Sequence, residues 1–400
     1  MTSGEQGFSL IELTIAMGIM LVVTGSVFAL VNVAEGAFSA QPEMSDMQQR
    51  LRVGADTLSK DLIMAGAGAY LGKQAGSLNY SFAPVLPFRQ GAVGDDSPSM
   101  FVSSSDVRAP LSSSNRITII YVPPTTAQTT LAADLTPASF TLQVASESDC
   151  PIGVNLCGFT KDMSVLVYDD DGNYNLFSVT SVTDNTAQLS VKKPADASTT
   201  TYKTGTKVVE AVSHTYYLRP ETNQLMHYDG TGNADEPVVD NVVSLWFEYY
   251  GDPNPPVLIK SVTDPTGPWT TYGPKPPAPG VRATGYAAGE NCTFQVGGGM
   301  HTARLVTLPA DSTSLVKLKE EWLKDGPFCP DEANVNRWDA DLLRIRKIEV
   351  TLRVQSAVAA LRGPQSALFA NGGTSRGGDR WVPDQEIRFQ VSPRNLNLGR

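Results

Sequence analysis

The residues whose types could do chemistry are few: four cysteines, three histidines, one aspartate-rich stretch and one G-x-S-x-G string. Cys150, Cys157, Cys292 and Cys329 lack the C-x-x-C spacing of zinc sites, and His214, His227 and His301 show no ligand spacing to each other or to the cysteines. Gly373-Thr374-Ser375-Arg376-Gly377 spells a nucleophile elbow, but an elbow needs strand, sharp turn and helix, with the triad histidine later in the chain. Here the flanks are Gly-rich and the last histidine, His301, lies upstream. Asp169, Asp171 and Asn173 offer calcium oxygen ligands at alternate positions. Yet the glycine of an EF-hand falls at its sixth place with a glutamate at the twelfth, whereas Asp-Gly between two strands is what a hairpin turn needs. The turn is the preferred reading and calcium the sharper alternative. No phosphate-binding loop or dinucleotide fingerprint occurs.

Composition points the same way. The chain has 400 residues, 18% charged and 41% hydrophobic, with 34 Gly and 27 Pro. That describes a β- and turn-rich body of two or three domains, or one domain with large insertions. A net charge of −10 disfavours a role in gripping the phosphate backbone of DNA. An enzyme is not expected.

The strongest signal is N-terminal. From Leu13 onward 22 residues run without a charge, roughly 33 Å as a helix and enough to cross a bilayer core. The run is too long for the apolar core of a cleaved secretory signal, and its prefix has no Lys or Arg. Glu12 sits inside the apolar stretch, where an ionisable group costs about 2.5 to 3.5 kcal/mol on the mildest scales, so it needs a partner.

Gly7-Phe8-Ser9-Leu10-Ile11-Glu12 followed by an apolar helix resembles the class III signal of type IV pilins and pseudopilins. The resemblance implies cleavage by a prepilin peptidase between Gly7 and Phe8, N-methylation of Phe8, and an assembly role for Glu12: the new N-terminal amine of one subunit pairs with Glu12 of its neighbour. Such a pair favours register more than raw stability. The implied fold is α+β and pilin-like, with a long N-terminal helix packed on an antiparallel head that carries long loop insertions. Residues 1–7 are the expected leader, 8–34 the transmembrane half of the helix, 35–66 its amphipathic half and 67–400 the β-rich head.

Periodicity supports the second half of that helix independently. Met44, Met47, Leu51, Ala55, Leu58, Leu62 and Ala65 form an apolar stripe with charged residues on the other faces. Pro42 is expected to kink or interrupt the helix, and Gly66-Ala67-Gly68 to end it. Strands are expected over 116–122, 139–144, 163–168, 174–181, 186–191, 215–218, 224–228, 242–250, 344–354 and 386–391. Residues 251–280 carry nine prolines and, through about 340, read as an insertion loop. Alternation in the 344–354 strand sets Arg344 and Arg346 on one face, read as a polar solvent face with DNA contact as the functional rival.

YYLRPETNQLMHYDG, PVVDNVVSLWFEYYGD, RIRKIEVTLRV and the closing VSPRNL are similar to large minor pilins of the PilW type. That likeness implies a subunit held in the bacterial inner membrane with its head in the periplasm, then built into an extracellular pilus near the tip, where it helps initiate assembly. The implied partners are the prepilin peptidase, other minor and major pilins, the inner-membrane assembly platform and the lipid bilayer. A type II secretion pseudopilin and a pilus-borne adhesin are the alternatives. In an oxidising compartment four cysteines are expected to pair. Three pairings are open, and Cys150 with Cys157 and Cys292 with Cys329 is favoured.

Overall fold

The computed structural model describes residues 9–70, 76–88, 115–147, 150–193, 200–230, 235–256, 273–278, 280–309, 314–334, 337–376 and 381–397, with backbone alone over 30–39. The architecture is α+β: one helix, α1 (Leu10–Met64), followed by antiparallel sheets. Two compact units are resolved, Met1–Leu51 with Val354–Gln385, and Arg52–Arg353 with Glu386–Arg400.

The helix runs unbroken through Pro42, so the expected interruption does not occur. Proline removes a single amide donor there, and the long flanking turns keep their own bonds. Termination falls where glycine allows it: Gly66 has φ of 76°, a left-handed conformation that favours glycine as a helix stop. Of the expected stripe, Met47, Leu51, Leu58, Leu62 and Ala65 are buried, Ala55 is half-buried and Met44 is exposed.

In the larger unit, the last turns of α1 lie against a five-stranded sheet of Val85–Leu86, Arg116–Tyr121, Val212–Arg219, Gln224–Tyr228 and Glu236–Asp240, in that order. Gly54 makes the approach close. A Cβ added there would meet Val239 Cγ2 of this sheet at 3.4 Å and, from the neighbouring strand Ile345–Val354, Leu352 Cδ2 at 2.6 Å. Gly54→Leu should therefore cost about 1 to 3 kcal/mol by overpacking, read as a lowered urea midpoint. Gly18→Ala, with nothing within 4 Å of its added methyl, should cost nothing and add helix propensity. Beside this sheet lies a second, ordered Val316–Leu318, Val242–Gly251, Ile345–Val354, Gln385–Val391.

Between the paired residues Tyr121 and Val212 of the first sheet, the chain makes a separate body. Six strands (Gln128–Thr130, Lys207–Glu210, Ser164–Tyr168, Tyr174–Thr183, Gln188–Lys192 and Thr141–Gln143, in spatial order) form an antiparallel sheet. Its two end strands meet: Leu131 bridges Val144, Ala132 N–H donates to Gln143 O at 2.8 Å and Ala145 N–H to Thr130 O at 2.8 Å. The sheet thus closes into a small barrel around Leu142, Val165, Val167, Phe177, Val179, Leu189, Tyr202 and Val208. Closure removes the free edges that a sheet of short strands would expose.

The Pro-rich insertion contributes its own short strands. Phe294–Gly297 pairs with Met300–Ala303, Phe328–Cys329 with Trp338–Asp339, and Val316–Leu318 joins the edge of the second sheet. Residues 257–272, and with them some of the nine prolines, lie outside the described residues. In the smaller unit, Glu43 accepts from Ala357 N–H at 2.6 Å and faces Arg50 at 3.7 Å, which ties the 354–385 segment to the helix.

Candidate assembly site at the start of the helix

Ser9 and Glu12 build the first turn of α1 reciprocally. Ile11 N–H donates to Ser9 Oγ at 3.3 Å, and Ser9 N–H donates to a Glu12 carboxylate oxygen at 3.0 Å. This is a capping box, in which the first residue and the one three later each satisfy orphan amides of the first turn. The carboxylate therefore has a donor within its own chain and remains exposed. The expected N-terminal residues Gly7 and Phe8 lie outside the described residues.

Leu10–Ala29 then form a 20-residue apolar stretch with none of it buried in the protein. At 1.5 Å per residue its length is about 30 Å, matched to a hydrocarbon core. Two of its hydroxyls bond back to the helix, as lipid favours: Thr14 Oγ1 donates to Ile11 O at 2.9 Å and Ser26 Oγ to Val22 O at 2.8 Å.

Residues 2–28 match the prokaryotic N-terminal methylation motif. The chain carries at its N-terminus the methylation motif of the type IV pilin and pseudopilin superfamily, and that motif implies processing by a prepilin peptidase and anchoring in the inner membrane before pilus-type assembly. No curated protein and no solved structure matches the chain.

Cys150 is bonded to Cys157 and Cys292 to Cys329. The first bridge closes a loop in the long connection of the barrel. The second joins the base of the Phe294–Ala303 hairpin to the Phe328–Cys329 strand. Glu147 lies beside Cys150 and Cys157, but both sulfurs are committed to the bridge and offer no thiolate to a metal.

Asp169, Asp171 and Asn173 form the turn between Ser164–Tyr168 and Tyr174–Thr183. Asp171 and Asn173 N–H donate to one oxygen of Asp169 at 3.0 and 2.9 Å, and Asn173 Nδ2 donates to the other at 2.9 Å. Asn173 Oδ1 accepts from Thr200 Oγ1 at 3.1 Å. These contacts are the self-bonding of an Asx turn, which spends Asp169 on its own loop. Burial, and next the charge of Asp171, push the Asp169 carboxyl up to about 7. With an unfolded value near 3.8, the folded state holds the proton longer, so this group's favourable contribution is complete below about pH 4 and lost as pH rises to about 7. The stability gap between wild type and Asp169→Asn should accordingly move in the variant's favour over that window, read from urea midpoints at pH 4.5 and pH 8.

Arg344 and Arg346 are not a solvent face. They are 1% and 2% exposed. Arg344 pairs with Asp341 and donates to Pro253 O at 3.0 Å and Val306 O at 2.5 Å. Arg346 donates to Leu343 O at 2.8 Å and pairs with Asp252 at 2.9 Å. Buried guanidinium is tolerated because carbonyls and carboxylates meet its donors, and neither residue is available to DNA. Ser375 lies in a loop held by Gly373 N–H to Gly363 O and Thr374 N–H to Ala359 O, each 2.8 Å, without a nucleophile elbow.

One cluster escaped sequence reading. His214 and His227 sit on adjacent antiparallel strands, with His227 opposite Tyr216, so the two imidazoles share the face that meets α1. Asp61 of the helix contacts His214 Nδ1 and accepts from Tyr216 O–H at 2.5 Å. Burial raises the Asp61 carboxyl, but the hydrogen bond and charge of His214 and the bond from Tyr216 prevail and hold it below its ordinary value. Spacing along the chain could not show this group. The hairpin register, read across the Glu221–Asn223 turn, was the usable signal.

Proposed function

We propose that the chain is a minor type IV pilin of the large PilW type: a structural subunit cut between Gly7 and Phe8, methylated at Phe8, and built into the fibre near its tip, where it helps prime polymerisation. The observation that carries the reading is the juxtaposition of the methylation motif with Glu12, capped at the head of an unpartnered apolar helix. A head of more than 300 residues favours a minor over a major subunit, since a densely repeated subunit leaves little room around each helix. A pseudopilin of a type II secretion system shares every one of these features, and neighbouring genes separate the two.

Intact mass and N-terminal sequencing of the protein recovered from its host's membranes test the reading. It predicts a chain beginning at N-methylated Phe8. A chain still beginning at Met1 in cells with an active prepilin peptidase would overturn it.

A further inference from the structure

Among the described residues, two groups place three metal-capable side chains together, and only one of them has no ligand atom tied up in a disulfide: Asp61, His214 and His227. Their carboxylate oxygen and imidazole nitrogens all lie within 4.8 Å of one another. The ligands of a tetrahedral zinc, at about 2.0 to 2.1 Å from the ion, are roughly 3.3 Å apart, so the atoms are already near a coordinating arrangement. The three come from separate elements, the end of α1 and two adjacent strands.

A second observation points to a missing partner. His227 Nε2 is buried and has no hydrogen-bond partner. A buried imidazole nitrogen without a bond costs about 1 to 3 kcal/mol unless something meets it. The surroundings fit a cation: Tyr216 O–H donates to Asp61 at 2.5 Å, an outer hydrogen bond of the kind that orients a ligating carboxylate. The His214 and His227 rings stand edge to face at 4.6 Å, while Asp61 and His214 keep 15% and 22% of their side chains exposed, which leaves a route from solvent.

We propose that Asp61, His214 and His227 form a binding site for a divalent transition ion, zinc above all, that clamps the end of the long helix to the central sheet. Two imidazoles and a carboxylate suit zinc, cobalt, nickel or copper better than calcium or magnesium, which take oxygen ligands. The ion would take the place of the proton between His214 and Asp61, and coordinate His227 Nε2 and a water as its third and fourth ligands. Binding therefore releases a proton and weakens as pH falls. Its role is structural, because a ligand held by the folded form alone stabilises that form by mass action.

The test uses the full chain purified in detergent and stripped with chelator. Titration with cobalt chloride should give the visible absorption of tetrahedral Co2+ saturating at one ion per chain, and zinc chloride should displace it. Zinc should also raise the melting temperature of the wild type. His227→Gln, at a nitrogen that makes no hydrogen bond, should fold as wild type by circular dichroism. It should weaken zinc binding at least about 100-fold, since loss of even an outer-shell partner costs about 10- to 100-fold. Absence of a saturable cobalt spectrum, or equal affinity in His227→Gln, would overturn the proposal. Should His214→Ala fail to fold because Asp61 loses its partner, the His227 variant still decides.

Discussion

Replacing Glu12 with leucine should move two readouts in opposite directions. Retention in the membrane rises or stays level, because an ionisable side chain in an apolar span costs about 2.5 to 3.5 kcal/mol and leucine removes that cost. On the proposed pairing of Glu12 with a neighbour's N-terminal amine, incorporation into fibres should fall at least about 100-fold, since removing one partner of a buried pair costs about 3 to 5 kcal/mol. The capping box sharpens the argument. In the single chain the carboxylate already accepts from Ser9 N–H at 3.0 Å, so the glutamate is tolerable before assembly and still has lone pairs for the amine of a neighbour. Ser9→Ala is the control: it removes one cap bond, at about 1 kcal/mol, and leaves the carboxylate in place. Quantitative immunoblotting of sheared fibres against membranes checks both variants. Equal fibre incorporation of wild type and Glu12→Leu would sink the pairing role.

The second large effect concerns the insertion. Cys292 and Cys329 are wholly buried and close a separation of 37 residues. In the loop-entropy view, that closure stabilises by about 4 kcal/mol, against about 2.4 kcal/mol for the 7-residue separation of Cys150 and Cys157. The double alanine variant at Cys292 and Cys329 should therefore lower the unfolding free energy of the head by up to about 4 kcal/mol, visible in the urea midpoint. Cleavage by protease should concentrate between residues 280 and 334. The strands of the segment are two to four residues long, too short to be stable as isolated hairpins. Local anchors are the Asn291 carboxamide, which accepts from Thr293 and Phe294 N–H at 2.9 and 2.7 Å, and Arg304 donating to Glu290 at 2.5 Å.

How much of the molecule is legible in the sequence depends on whether each signal is local. The helix was legible because its apolar stripe and its Gly66 stop are local. Strands such as Arg116–Tyr121 and Val242–Gly251 were legible because β-branched and aromatic residues fill them. Gln128–Thr130 and Lys207–Glu210 were not, since three or four residues carry no usable period; they exist because the barrel closes through them. The alternation of the 344–354 segment put Arg344 and Arg346 on the face of Ile348, Val350 and Leu352, whereas the strand begins at Ile345 and Arg344 closes the 3-10 turn before it. Charge then suggested water, whereas Asp341, Asp252 and a set of backbone carbonyls supply the acceptors inside. The Asp61 cluster joins residues 153 and more positions apart, and only pairing register assembles it.

The barrel's place in the chain has a consequence for how such a head can diversify. It leaves and rejoins the central sheet at Tyr121 and Val212, two residues that face each other across adjacent strands. Topologically the entire body is therefore an overgrown hairpin loop. A cassette attached in this way can be enlarged, exchanged or reduced to a tight turn while the register beneath the helix is kept, so the barrel can evolve separately from the helix and the sheet it packs on.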